Sequence, residues 1–199
     1  MEVTNKGSKA GGYLTNVVGK SFENKTNNEH FLLLIGFQKK EINGNHSLDS
    51  KHPKYGYYLE KKYRDKTIVY VLQTGFKIYM KEHYNIDMFR CPDEAYIITY
   101  KKRKCIDIKI IEKKAQNVDG SVETKLWAGN SLKREYEMVL GDKFKVEYAY
   151  TLSSYLENKL ESDDYKYYIL SQILNESNIK IFYGDSDNYI SQINDWIGT

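Results

Sequence analysis

Apolar positions along this chain change their period several times, and each change marks an element. Leu14, Val17, Val18 and Phe22 recur at helical spacing and predict a first helix over about 13–28. Glu23 lies about 100° round from Phe22, at the edge of that apolar stripe. The run FLLLIGF, 31–37, continues this helix or forms a short buried strand; so short a run has no period that separates the two. From 38 to 66 the sequence turns polar, with NGN, HP and KYG turn signals, and reads as a long loop or exposed excursion. Long loops inside compact domains are more often functional than idle.

TIVYVL, 67–72, is β-branched and aromatic and predicts a buried strand. FKIYMKEHY then reads as a short helix or irregular bridge, and AYIITY with CIDIKII as a β-hairpin. A helical segment around SVETKLWA is expected to stop at Gly129, and another around SLKREYEMVL at Gly141. In FKVEYAY the positions Phe144, Val146, Tyr148 and Tyr150 alternate with smaller or charged residues, as in a strand with one buried face. Helices over about 152–161 and 164–176, the strand IKIFYG and a terminal helix ending near Trp196 complete the order. This order favours an α/β fold, a mixed central β-sheet flanked by helices, in one domain over 1–199. No internal repeat or low-complexity block interrupts it.

Composition narrows the class. With 29% charged and 41% hydrophobic residues, including 19 Tyr, the chain is too apolar and aromatic to stay disordered. A net charge of +3 is compatible with nucleic-acid binding without demanding it, so local clustering must decide. Cys91 and Cys105 show no zinc-ligand spacing and read as two ordinary thiols in a reducing compartment. No apolar run approaches the ~20 residues that span a bilayer, and the start MEVTNKGSKAGG lacks a signal-peptide core; the expectation is a cytoplasmic protein with no membrane partner.

The candidate chemistry lies in CPDEAYIITYKKRKCIDIKIIEKKAQ, 91–116. If Tyr100 and Cys105 flank a KKRK turn, Asp93 falls directly opposite Glu112 on the neighbouring strand. Opposed residues share a face with Cβ atoms ~5 Å apart, close enough for two carboxylates to share one hard cation. Parity places Lys114, and Gln116 if the strand continues, on the same face, above Ile106, Ile108 and Ile110. Opposed carboxylates repel unless something positive lies between them, and oxygen ligands of this kind select Mg²⁺. Carboxylates, a metal and a lysine together suit phosphodiester hydrolysis. A strand shifted by one residue would hand the role of Asp93 to Glu94, because a register slip exchanges faces. Asp107 points to the other face and reads as a solvent-side charge.

Pro92-Asp93 followed by Glu112-Lys113-Lys114 resembles the PD-(D/E)xK signature of restriction endonuclease-like nucleases. That family's αβββαβ core is similar to the order read over about 13–150, which leaves 151–199 as a C-terminal α/β extension. The resemblance implies Asp93 and Glu112 as metal ligands and Lys114 as the catalytic lysine. It also implies Glu23, on the first helix, as a further acidic ligand, and Gln116 as similar to the glutamine that follows ExK in some branches.

DNA contacts are sought among basic residues mixed with aromatic ones. Lys51, His52, Lys54, Lys61, Lys62 and Arg64 are interleaved with Tyr55, Tyr57, Tyr58 and Tyr63, a pattern that suits phosphate neutralisation as well as a solvated surface. Lys125, Asn130, Ser131, Lys133 and Arg134 follow the active strand, where relatives place DNA-facing groups; Lys133 and Arg134 beside Glu137 also fit a salt-bridged exposed face. The basic turn 101–104 lies at the far end of the hairpin. His46 and His52 lack a second histidine at a supporting spacing, and no Gly-rich phosphate loop, nucleophile elbow or dinucleotide fingerprint is present.

The resemblance therefore implies a Mg²⁺-dependent endodeoxyribonuclease of the type II restriction kind. It would cut double-stranded DNA to 5′-phosphate and 3′-hydroxyl ends, with Mn²⁺ able to substitute. One such site per chain suggests a homodimer on a palindrome. A repair or junction-resolving nuclease of the same fold is the alternative that Gln116 supports. A DNA-binding module with a structural acidic hairpin is the alternative of another class.

Overall fold

The computed structural model describes residues 13–42, 56–116 and 122–199. Its centre is a seven-stranded mixed sheet whose strands lie side by side in chain order. These are β1 (Gln38–Glu41), β2 (Tyr57–Lys62), β3 (Lys66–Leu72), β4 (Glu94–Tyr100), β5 (Ile106–Lys114), β6 (Phe144–Leu152) and β7 (Ile179–Tyr183). Neighbours from β1 to β5 are antiparallel, whereas β5, β6 and β7 run parallel. The parallel strands need helical crossovers to return the chain, and helices separate each of these pairs. Helices cover both faces, as expected for a mixed α/β sheet.

One face packs against α3 (Gln73–Tyr84), α4 (Val122–Trp127), α5 (Gly129–Leu140), α6 (Ser154–Leu160) and α7 (Tyr165–Glu176). Val69, Ile97, Ile108, Ile110 and Tyr148 of the sheet meet Phe76, Leu126, Tyr136, Leu156 and Leu170 there. The other face carries Ile68, Tyr70, Tyr96, Ile98, Ile111 and Phe182 against α2 (Glu29–Leu34) and α8 (Tyr189–Ile197). The helix α1 (Tyr13–Lys25) lies over the end of β5. It comes close because Gly184 has no side chain: a Cβ there would stand 2.6 Å from Phe22 and Thr26 and 2.9 Å from Thr151.

Several local expectations need correction. The polar stretch 38–66 contains β1 and β2 rather than one loop; β1 is the exposed edge of the sheet and β2, its half-buried neighbour, ends in Glu-Lys-Lys, so little apolar period is left to read. FLLLIGF divides between α2 and the turn that leads into β1, with Leu32 and Phe37 buried and Leu34 71% exposed. Gly129 begins α5 instead of stopping the previous helix, and it is a packing glycine: a Cβ would meet Ile179 at 2.9 Å and Tyr150 at 3.0 Å. Gly141 does end α5, at φ 73°. β6 is buried on both faces toward its end, because helices cover both sides of the sheet there. Asp107 is buried, held by Arg103 at 3.0 Å, rather than solvated. Val17 of the first stripe is exposed, whereas Phe22 reaches the core. Among the described residues no helix is long and apolar enough to cross a membrane.

Candidate active site

The site forms where β3 and β5 end and β4 begins. The pairs Glu94↔Ile111 and Thr99↔Ile106 set the β4–β5 register. Continued by one residue, that register brings Asp93, just before β4, level with Glu112. Asp93 is secured by the backbone: its Oδ2 accepts the Lys113 N–H at 2.7 Å.

Alternation along β5 then sorts its last residues. Glu112 and Lys114 share the face of Ile108 and Ile110, while Lys113 turns to the face of Ile111. Lys114 Nζ donates to Glu112 Oε2 at 2.7 Å and lies 3.7 Å from Asp93 Oδ2, so one ammonium is shared by two carboxylates. Burial alone would lower the Lys114 ammonium, but Glu112 and Asp93 outweigh it and hold it above its ordinary range. The Glu112 carboxyl is pushed up by burial; Lys114 opposes this and Asp93 reinforces it. Glu23, reaching in from α1, is raised by burial and by the charge of Asp93, against Lys113, Lys114 and Lys20. The three carboxyls thus form an electrostatically crowded group with one lysine among them.

On the other face Lys113 makes a second arrangement, which the sequence reading did not identify. Its ammonium, almost wholly buried, pairs with Glu94 at 2.5 Å and donates to the carbonyls of Thr26 at 3.0 Å and Glu23 at 3.3 Å. Glu94 is fully buried, and the hydroxyls of Tyr70 and Tyr96 lie 3.2 and 3.3 Å from its oxygens. Glu94, the alternative partner for Glu112, is therefore engaged on the opposite face. Parity alone could have shown that Lys113 and Glu94 face away from Lys114; that α1 and the turn after it supply the acceptors could not be read from the sequence.

A cleft opens beside Asp93, lined by Glu23, Asn24, Asn27, Leu72, Gln73 and Lys113. Gln73 starts α3 with φ 38°, a backbone conformation that costs a non-glycine residue on the order of 1–3 kcal/mol and that clusters at working sites. Among the described residues no three acidic, histidine or cysteine side chains are gathered so that they could hold a metal ion. The donors available to a cation are Asp93 and Glu112, with Glu23 adding charge nearby. Two carboxylates suffice for Mg²⁺, which keeps several waters and takes further ligands from substrate phosphates.

Gln116, buried beyond the end of β5, is tied to Ser153: its N–H donates to Ser153 Oγ and its carbonyl accepts from it, both at 3.2 Å. Of the proposed DNA contacts, Lys51, His52 and Lys54 lie outside the described residues. Lys61 donates to Ile35 O at 2.6 Å, Lys62 is 3.8 Å from Glu60, and Arg64 is exposed in the β2–β3 turn, at the opposite end of β3 from the site. Lys125, Asn130 and Ser131 are exposed and nearer: the Lys125 carbonyl accepts from Tyr150 at 2.8 Å, and Tyr150 pairs with Glu112. Lys133 donates to Ser177 O at 2.8 Å, and Arg134 pairs with Glu137 at 3.1 Å. Comparison with protein-family models, with curated proteins and with solved structures finds no match to this chain.

Proposed function

We propose that this protein is a Mg²⁺-dependent endodeoxyribonuclease that hydrolyses double-stranded DNA at defined sequences, in the manner of a type II restriction endonuclease. The observation that carries the proposal is the Lys114 ammonium, 2.7 Å from Glu112 and 3.7 Å from Asp93 at the end of a β-hairpin, with Glu23 of α1 within electrostatic reach. With α2, β1, β2, α3 and α4 set aside as insertions, the order α1, β3, β4, β5, α5, β6, with β6 parallel to β5, adds support, because it is similar to the core of the nuclease family that the PD and ExK residues resemble.

Asp93 and Glu112 would hold the cation, whose carboxylate donors suit a hard divalent ion and whose mutual repulsion it would relieve. When bound, Mg²⁺ supplies positive charge against the phosphodiester oxygens, and Mn²⁺, which accepts the same oxygen donors, is expected to substitute. Lys114 orients the attacking water and offsets the charge that develops at phosphorus. Water oxygen bonds to phosphorus, the bond to the 3′ oxygen breaks, and the proton lost by water is balanced by one gained at that oxygen. Backbone phosphates would lie across the exposed Lys125, Asn130 and Ser131 beside the site. Two copies acting together would cut both strands of a palindrome.

The test is incubation with plasmid DNA and Mg²⁺, with and without a chelator. Discrete fragments that require the metal support restriction-type cleavage. Preference for branched over linear duplex would move the assignment to junction resolution, and no metal-dependent cleavage would remove the enzymatic reading.

A further inference from the structure

Beneath Glu112, tyrosine rings form a continuous buried row. Glu112 pairs with Tyr150 across the β5–β6 ladder; the Tyr148 and Tyr150 rings are 5.4 Å apart, and the Tyr136 ring of α5 is 6.2 Å from Tyr148. Tyr150 is satisfied, since its hydroxyl donates to Lys125 O. Tyr136 and Tyr148, each 1% exposed, bury hydroxyls that meet no partner at full hydrogen-bond geometry among the described residues; that of Tyr148 interacts only with the Tyr150 hydroxyl, which itself is committed to Lys125 O.

A buried hydroxyl without a partner destabilises a fold, and phenylalanine would fill the same space without that cost. Two of them in one place suggest a bond made in another state. Burial raises both phenols, and for both the charge that acts on them most strongly is Glu112. The remaining cation nearby, Arg90, is engaged by both oxygens of Glu135. A carboxylate accepts up to about four hydrogen bonds, and one that holds a metal is normally steadied by outer donors.

We propose that the Tyr136 and Tyr148 hydroxyls are positioning groups for Glu112, donating to its carboxylate when it turns from Lys114 to hold a divalent cation; this presupposes the metal-dependent activity proposed above. The metal-free protein leaves the two donors without a carboxylate acceptor, and cation binding gives them one. They touch neither substrate nor the reacting phosphorus.

The test uses Tyr136→Phe, Tyr148→Phe and the double variant. Thermal melting is followed in chelator, Mg²⁺ is titrated calorimetrically without DNA, and cleavage kinetics are measured separately. The expected result is a melting temperature in chelator equal to or above that of the wild type. Mg²⁺ affinity should weaken about tenfold, and cleavage should fall in kcat more than in KM. Wild-type Mg²⁺ affinity in the double variant would overturn the proposal while leaving the nuclease reading intact. A lower melting temperature in chelator for both single variants would also overturn it, because the hydroxyls would then be bonded already. A wild-type protein that binds no Mg²⁺ would instead remove the metal reading on which the proposal stands.

Discussion

Lys113 joins both halves of the site: its backbone N–H holds Asp93 Oδ2 at 2.7 Å, while its side chain reaches the other face of the sheet to Glu94 and α1. A single residue of β5 thus sets the position of one acidic group directly and of the helix bearing another through two carbonyls. Removing one partner of a buried ion pair leaves the other charge unpaired, at about 3–5 kcal/mol. Lys113→Met is therefore expected to lower stability by about that amount, and Glu94→Gln in the same chain to recover much of it. Urea denaturation of the two single variants and the double variant measures the coupling; strictly additive losses would show that the pair acts as two independent groups.

Lys114, the neighbour on the opposite face, is expected to matter to chemistry more than to folding. Glu112→Ala and Lys114→Ala should each reduce plasmid cleavage by at least about a hundredfold. DNA binding in a gel-shift assay should stay near the wild-type level, because neither side chain belongs to the exposed basic surface. Cleavage at the wild-type rate by either variant would move the active centre elsewhere.

The close approach of α1 at Gly184 links packing to the site. Gly184→Ala would set a methyl group against Phe22, Thr26 and Thr151, and Thr26 supplies a carbonyl to Lys113. Overpacking of this kind costs about 1–3 kcal/mol. A fall in melting temperature accompanied by reduced cleavage is expected, and an unchanged melting temperature would mean that α1 can shift without loss.

Asp185 supplies a pH-dependent part of stability. It accepts from the Ser154 N–H at the start of α6 at 2.7 Å and pairs with Lys25 of α1 at 2.6 Å. Burial alone would raise its carboxyl, but Lys25 and Ser154 outweigh burial and hold it below its ordinary 3.8. A carboxyl lowered by folding stabilises the folded state above its unfolded value, and the effect disappears as pH falls through the folded one. Asp185→Ala is expected to cost about 1 kcal/mol at pH 7 and less at a pH below the lowered carboxyl of the folded state. Denaturation at the two pH values checks this; a loss of equal size at both would assign the effect to packing.

How much was legible in advance differs from element to element. β3, the β4–β5 hairpin and β6 could be read because their apolar alternation is long and their buried faces nearly continuous. β1 and β2 could not, since the edge strand β1 and its neighbour β2 are rich in Lys and Glu and carry the composition of a loop. Gly129 looked like a helix stop because a glycine at a helix end and a glycine under a tyrosine ring are the same letter. Asp107 and Glu94 looked solvated or available because their partners, Arg103 and Lys113, are chosen by geometry rather than by spacing.

By itself the sequence determined the alternation and the turn that bring Asp93 level with Glu112 and carry Lys114 to the same side, because strand parity and hairpin pairing are local consequences of backbone geometry. Only the tertiary structure decided that Lys114 lies between two carboxylates, that Lys113 and Glu94 lock α1 against β5, and that two tyrosine hydroxyls are buried behind Glu112. Those relationships join residues far apart in the chain, and burial and close packing, not sequence spacing, determine which side chains meet.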